Sequence, residues 1–196
     1  MKLQDALPCA VTVGHRTYKV DLDFRNVLRM MDVLGQDDIM PAAREYNALR
    51  CVMKHPPKRT SEALLALRVL LFPEQPKTDG KKLTDFVQDA DLIRAAFMQT
   101  YGINLYRDKL HWFEFTSLLS GLPEGSRYTE VLGIRARPMP KPTKYNSEER
   151  QWLQKAKALH AIRMSDKERE QSYQTSLHRT AESLLALAKR GEQQSA

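Results

Sequence analysis

The chain has few of the residue patterns on which disulfide-rich proteins, metal proteins and most enzymes depend. Two cysteines, Cys9 and Cys51, stand alone among 196 residues, which is too few for a disulfide framework. The five histidines have no metal-binding spacing with one another or with cysteine, and the sequence has no phosphate-binding loop and no nucleophile elbow. Cys51 lies between Arg50 and Lys54 and is a candidate reactive thiol, but a small buried hydrophobic role is the commoner one. We therefore expect no metal, no cofactor and no enzymatic activity.

Long apolar segments are missing as well. The longest apolar runs, residues 63–67 and 69–72, are separated by Arg68 and are far shorter than the ~20 residues that cross a bilayer. The first ten residues include Asp5 and Pro8 and have no apolar stretch like that of a signal peptide. We expect neither a membrane span nor a signal peptide, and the scarcity of cysteine favours a reducing cytosol.

The charge balance is basic but mild. Lysine and arginine number 31 against 24 acidic residues, which gives a net charge of +7. A positive excess can attract nucleic acid or acidic proteins, but here it is spread along the chain, with no dense basic run and no helix-turn-helix spacing. A solvated surface of mixed charge is the favoured interpretation, and nucleic-acid binding is kept as the weaker alternative.

The spacing of apolar, glycine and proline residues predicts a mainly α protein that opens with a short β-hairpin. Segments 11–13 and 18–20 are rich in β-branched and aromatic residues and flank a turn at Gly14. Asp23 has the chemistry of an N-cap and Gly35 that of a helix end, which together predict a first helix between them. The helices of the core are predicted over residues 24–34, 41–54, 60–72, 84–101, 108–121 and 126–132.

Two of these helices carry further expectations. The helix over residues 60–72 is apolar nearly all round, which is typical of a buried central element. Asp89 and Asp91 lie two positions apart in the first half of the helix over residues 84–101, and therefore point to different faces. We expect both carboxylates to complement the helix dipole and face solvent, rather than to form a metal-binding or acid–base pair.

The helix that Asp108 is predicted to cap contains a group of aromatic side chains. His111, Trp112 and Phe115 lie close together near its start. They could pack inside the core, which is the commoner role of aromatic residues, or form an aromatic surface that grips a partner. Both interpretations stay open from the sequence.

Three prolines at alternate positions between residues 138 and 142 predict an extended, semi-rigid linker over residues 138–145. This linker divides the chain into two parts. Residues 1–137 are expected to form a helical core with the N-terminal hairpin, and residues 146–196 a C-terminal amphipathic helical pair.

Each helix of the C-terminal pair has a narrow apolar stripe on a polar background. Trp152 belongs to the stripe of the first helix, and Leu177 and Leu184 belong to that of the second. Such helices either fold back onto the core or present the stripe to another chain, and the sequence does not decide between the two.

A series of short motifs runs through the predicted core in a fixed order. They are Asp23-Phe24-Arg25, Phe86-Val87-Gln88-Asp89-Ala90-Asp91, Ala95-Ala96-Phe97, Tyr101-Gly102-Ile103-Asn104-Leu105, Leu110-His111-Trp112-Phe113, Leu118-Leu119-Ser120-Gly121-Leu122-Pro123 and Gly133-Ile134-Arg135. With the opening hairpin, they resemble the tailed-phage "gene product fifteen" family of siphophages and prophages of Gram-positive bacteria. The resemblance covers most of residues 10–135, whereas residues 138–196 are similar only in being basic, helical and polar-spaced.

The resemblance implies a tail assembly chaperone in the host cytoplasm, because the family's genes usually lie just before that of the tail tape-measure protein. The implied partners are the tape-measure protein and the major tail protein, and the family provides no catalytic residues to carry over. A structural component of the virion tail and a basic nucleic-acid-binding protein are the alternatives. We hypothesise that partners contact an aromatic group and the C-terminal stripe, represented by His111, Trp112, Phe115, Trp152, Leu177 and Leu184.

Overall fold

The computed structural model describes residues 4–72 and 82–163, and within these ranges a β-hairpin is followed by seven helices. The hairpin strands are β1 (Ala10–Val13) and β2 (Arg16–Lys19). The helices are α1 (Phe24–Leu34), α2 (Pro41–Val52), α3 (Thr60–Leu71), α4 (Ala90–Tyr101), α5 (Trp112–Ser120), α6 (Arg127–Ala136) and α7 (Ser147–Leu159). The predicted mainly α class with an N-terminal hairpin is confirmed. The second helix of the predicted C-terminal pair lies outside the described residues.

The hairpin forms where the sequence predicts it. β1 and β2 pair in antiparallel register, with Val11 opposite Tyr18 and Val13 opposite Arg16. Gly14 has a φ of 59° in the turn, a left-handed conformation that glycine adopts without a steric penalty. The side chains of Val11 and Val13 are buried, and β1 packs against α3. The hairpin is therefore supported by a helix and does not have to be stable alone.

The start of α1 is joined to the start of α5 across a long stretch of chain. The Asp23 side chain accepts a hydrogen bond from the Arg25 backbone N–H at 3.0 Å, as predicted for an N-cap. The Phe24 N–H donates to the Leu110 carbonyl at 3.0 Å, and the Trp112 N–H donates to the Leu22 carbonyl at 2.7 Å. These two bonds form a short antiparallel bridge that fixes α1 against α5.

An aromatic cluster occupies the centre of the core. The Phe115 ring stacks on Phe24 with centroids 4.6 Å apart and on Phe97 with centroids 5.4 Å apart. Trp112 is buried beside them, with its ring centroid 6.0 Å from that of Phe115. The alternative of an aromatic surface is therefore wrong for Trp112 and Phe115. The rings of Phe24 and Phe97 cover Phe115, and those of Phe72 and Phe86 lie beside Trp112.

The predicted start of α5 is also wrong. The helix begins at Trp112, and His111, not Asp108, is its N-cap. The His111 Nδ1 accepts from the Phe113 N–H at 3.2 Å, while the Glu114 carboxylate accepts from the His111 N–H at 2.8 Å. Asp108 instead accepts from the Asn104 N–H at 2.7 Å, so it stabilises the preceding loop.

Two other predicted boundaries are wrong. α4 begins at Ala90 rather than near residue 84, because the Asp85 carboxylate accepts hydrogen bonds from the N–H groups of Val87 and Gln88 and closes a turn before the helix. α6 continues past Gly133 to Ala136. Glycine alone does not end a helix when the following residues keep their backbone hydrogen bonds.

The apolar character of α3 does not make it a central element. Ala63, Leu67 and Leu71 form its buried face, which packs against α2 and the hairpin. Leu65 and Val69 are 61% and 67% exposed. The predicted all-round burial is wrong, because neighbouring elements cover only one side of this helix.

Removing a buried ring of the aromatic cluster should destabilise the fold. Phe97 is fully buried, and Phe97→Ala should lower the free energy of unfolding by about 3–5 kcal/mol through the lost transfer energy and the cavity left behind. Urea unfolding followed by circular dichroism measures this change. Val87→Ala, at an exposed apolar position, is the control and should change stability by less than about 0.5 kcal/mol. Equal losses for both variants would contradict the packing described.

Candidate functional site

The proline-bearing segment that follows α6 is tied to the first turns of α7. The Asn146 side chain accepts from the Thr143 N–H and donates to the Lys141 carbonyl, each at 2.8 Å. The Arg150 guanidinium donates to the Pro140 carbonyl, and the Arg137 guanidinium lies 2.5 Å from the Glu149 carboxylate. These contacts hold the segment against the start of α7, and its extended conformation stays a prediction.

Helix α7 is docked on α6. Leu153 points inward and is fully buried. The Lys157 ammonium donates to the Arg135 carbonyl at 2.9 Å, and the Arg135 Nε donates to the His160 carbonyl at 2.6 Å. One compact unit extends from Met1 to His160. Residues 146–160 therefore lie with the core, whereas the sequence pattern predicts that they form a C-terminal pair with a second helix.

A buried ion pair holds this corner of the molecule together. The two terminal nitrogens of Arg135 donate to the two carboxylate oxygens of Asp89 at 2.6 and 2.7 Å. Arg135 also donates to the Leu83 carbonyl at 2.8 Å, and Asp89 accepts from the Asp85 N–H at 2.9 Å. One guanidinium thus connects the segment before α4, the helix α6 and the end of α7.

The role of Asp89 corrects an expectation from the sequence. Both Asp89 and Arg135 are buried, so Asp89 is not a solvent-facing residue. Asp91 does face solvent and pairs with Arg94 at 2.8 Å. Sequence reasoning missed Arg135 as a structural residue, although the spacing of Tyr128, Val131 and Arg135 places all three on the buried face of α6.

The charges of this pair reinforce each other. Burial alone raises the pKa of Asp89, but the hydrogen bonds from the Arg135 guanidinium and from the Asp85 N–H outweigh it, so the carboxyl pKa lies below its usual range. The hydrogen bonds to Asp89 in turn raise the pKa of Arg135. Both groups therefore stay charged at neutral pH. N–H donors occupy both carboxylate oxygens, so the pair holds three segments of the chain in place.

The outer side of α7 carries an apolar stripe that nothing in the described ranges covers. Trp152 and Leu159 are 56% and 77% exposed. They lie seven residues apart, about two helical turns, with Ala156 between them, and so share one face. The sequence predicts one stripe that contains Trp152, Leu153, Ala156, Leu159 and Ile162. The structure divides this set, because Leu153 is buried and fixes the helix to the core whereas Trp152 and Leu159 are exposed.

The four predicted contact residues that the structure describes do not form one surface. Trp112 and Phe115 are inside the core, and the half-buried His111 is occupied as an N-cap, with its Nε2 3.0 Å from the Pro8 carbonyl. Leu177 and Leu184 lie outside the described residues. Partner binding stays a prediction, and Trp152 is the predicted contact residue that the described structure leaves accessible.

Neither a metal site nor a membrane span is found in the part of the chain that the structure describes. Over residues 4–72 and 82–163, no three His, Cys, Asp or Glu side chains are arranged to bind a metal ion. Within the same ranges, every helix is too short or too polar to cross a bilayer.

Comparison with known protein families identifies the chain. A family model described as Bacteriophage Gp15 protein matches residues 3–162, and the protein therefore belongs to this phage family. The match extends from the hairpin through α7, so the family region includes the linker and the docked helix, which the motifs alone did not indicate. Searches of curated proteins and of solved structures return no match.

Breaking the buried ion pair from one side should be costly. Asp89→Ala leaves the Arg135 guanidinium buried without its carboxylate, and we expect the free energy of unfolding to fall by about 3–5 kcal/mol. Urea unfolding measures the loss. The control is the double variant Asp89→Leu with Arg135→Met, which should be closer to the wild type than Asp89→Ala because no buried charge remains. The variants Asp89→Leu and Arg135→Met are also made singly. If the double variant loses as much stability as these two single variants together, the two residues are not coupled.

The pair should also make the fold sensitive to acid. Because the folded-state pKa of Asp89 is lowered, its contribution is fully present above the unfolded pKa of about 3.9. That contribution is lost as the pH falls through the folded pKa. Between about pH 5 and pH 3, unfolding midpoints in urea should therefore fall more steeply for the wild type than for the double variant. If the urea midpoints of the wild type and the double variant fall equally with pH, the ionisation of Asp89 does not contribute to the pH dependence of stability.

Proposed function

We propose that this protein is a non-enzymatic tail assembly chaperone, an adaptor that binds the tape-measure protein and the major tail protein during tail morphogenesis in the host cytoplasm. Membership of the Bacteriophage Gp15 protein family supports a phage role. The resemblance noted for the motifs favours the tail. The single structural observation that carries the proposal is the exposed apolar stripe of Trp152 and Leu159 on the anchored helix α7.

A tape-measure protein is a long helical chain with apolar stripes of its own. Before the tail tube polymerises around it, those stripes are exposed and prone to aggregate. An amphipathic helix that presents a complementary stripe can cover them and later release them. A small protein with a stable core and one such helix therefore has the chemistry that this task requires.

The anchoring of α7 improves the stripe as a binding surface. Because Leu153 and the hydrogen bonds at Lys157 and His160 already fix the helix, binding need not order it first, and that entropic cost is avoided. Tryptophan is enriched among the residues that dominate binding energy at protein interfaces. Trp152 is therefore the residue expected to contribute most.

Co-expression tests the proposal directly. The tagged chain is expressed with the tape-measure protein of the same genome, and the soluble fraction of that protein is measured with and without the chain. We expect co-purification and a clear gain in soluble tape-measure protein. Purified phage particles provide the second readout, because a chaperone should be missing from them. Presence of the protein in mature particles at a fixed ratio would overturn the chaperone proposal in favour of a virion component.

Charge placed on the stripe should abolish this activity without unfolding the protein. The double variant Trp152→Glu with Leu159→Glu puts two carboxylates on an exposed apolar face, and the soluble yield of the tape-measure protein should fall to that seen without the chain. Pull-down from the soluble fraction measures binding, and circular dichroism verifies the fold.

The matched control adds the same charge at exposed apolar positions away from α7. The exposed fractions of Met40 and Val87, 77% and 76%, are similar to that of Leu159. The variant Met40→Glu with Val87→Glu should therefore bind like the wild type. If the two double variants behave alike, the stripe is not the contact surface.

A further inference from the structure

The outer edge of β1 has backbone groups that the hairpin does not use. The Val20 N–H donates to the Cys9 carbonyl at 2.9 Å, which makes this a hydrogen-bonded pair of the antiparallel ladder. Since bonded and non-bonded pairs alternate, the next pair, Ala10 with Lys19, is non-bonded, and so is Thr12 with Thr17. The N–H and C=O groups of Ala10 and Thr12 therefore point away from β2. Across the described residues, no hydrogen bond takes up these groups.

This open edge borders a groove whose other wall is α3. The groove has a volume of about 880 Å³, within the range of roughly 300–1,000 Å³ usual for ligand sites. Residues 10–12 of the strand and Ala6 and Pro8 before it form one side, and Phe113 contributes as well. Leu65 and Val69, the exposed apolar residues of α3, form the opposite side. The groove thus combines unpaired strand hydrogen-bonding groups with an apolar helical wall.

The charge at the groove differs from that of the whole chain. Its charged lining residues are Asp5 and Glu62, both acidic, in a protein with a net charge of +7. Glu62 is paired with Arg59 at 3.3 Å on the exposed side of α3. The charged lining residues are therefore acidic, and an acidic occupant would meet like charge there.

We propose that the groove between β1 and α3 binds an extended peptide segment of a partner, which adds to β1 as a third strand. An extended backbone can pair with the outward groups of Ala10 and Thr12, whereas a helix has its own backbone groups already satisfied. Side chains alternate along a strand, so every second residue of the peptide faces Leu65 and Val69 and should be apolar.

This proposal does not rest on the tail-assembly role, and it concerns a different surface from the stripe of α7. A third strand would also convert a two-stranded ribbon, which is marginal by itself, into a sheet that is independently stable. Binding should therefore protect the backbone amides of β1 against hydrogen exchange.

Synthetic peptides test the mode of binding. The probe is a fluorescent peptide of about seven residues with valine at alternate positions, threonine between them and a lysine at one end. Its binding to the full-length chain is measured by fluorescence anisotropy. Two N-methylated isomers, one methylated at the valines and the other at the threonines, block opposite backbone edges. We expect one isomer to lose affinity by at least about tenfold and the other to bind normally. Equal binding of both isomers would overturn strand addition.

A pair of proline variants gives the matched control in the protein. Thr12→Pro removes an outward N–H of β1 without breaking a hairpin hydrogen bond, and Thr17→Pro does the same on the opposite edge of β2. Thr12→Pro should weaken peptide binding by at least about tenfold, while Thr17→Pro should bind like the wild type. The same loss in both would contradict the assignment of the edge.

A second comparison keeps the test decisive if a proline unfolds the hairpin. Val69→Asp changes the exposed wall of the groove, and Val87→Asp changes an exposed valine elsewhere. Only Val69→Asp should lower the affinity for the peptide, by about tenfold or more. Concentration-dependent self-association that Val69→Asp abolishes would instead assign the groove to a second copy of the chain and overturn the peptide as occupant. The variant Trp152→Glu with Leu159→Glu should bind the peptide normally, so failure of the two proposals can be told apart.

Discussion

The arrangement of α4, α6 and α7 depends on one buried guanidinium. Arg135 donates to the two oxygens of Asp89, to the Leu83 carbonyl and to the His160 carbonyl, so each segment it contacts is positioned relative to the others. Burying two charges costs free energy unless nearly every donor and acceptor is satisfied. The complete set of partners offsets that cost, and it also means that no segment can move without exposing a charge to an apolar environment. The stripe of α7 is presented to solvent in a fixed orientation for this reason.

A second set of polar contacts orients the N-terminal side on the same core. The bridge between Asp23 and His111 aligns α1 with α5, and the stacked rings of Phe24 and Phe115 fill the space behind it. Here the aromatic packing supplies most of the stabilisation, since each buried ring removes a large apolar area from water. The polar bridge selects the register in which those rings meet. The stripe of α7 and the β1–α3 groove are therefore both built on rigid supports.

Local signals were enough to predict the hairpin and α1, because a glycine turn, an N-cap and a glycine end all lie within a few residues of the elements they define. They failed where several residues compete for one role. Asp108 and His111 are both suitable caps, and the outcome depends on the bridge to Asp23, which no local window contains. Asp89 was placed in solvent because its partner, Arg135, comes 46 residues later. The exposed face of α3 was not predictable either, since a helix that is apolar all round gives no periodicity to show which side its neighbours cover.

For the candidate site, helical spacing was enough to place Trp152 on an apolar stripe. The open edge of β1 depends on which residue pairs of the hairpin are hydrogen-bonded and which are not. The sequence pattern does not show this.

The contacts that join α1 to the segment of residues 105–115 have a consequence for synthesis on the ribosome. The Arg25 guanidinium donates to the Leu105 carbonyl, 80 residues further along the chain, and the Phe24 ring is covered only when Phe115 has been made. At about 5–20 residues per second, the N-terminal half emerges roughly 4–16 s before the segment that completes it. The hairpin and the first three helices contact one another and can associate during this interval, but the inner face of α1 stays open. The nascent protein thus has, for several seconds, an apolar face of its own that needs protection from aggregation.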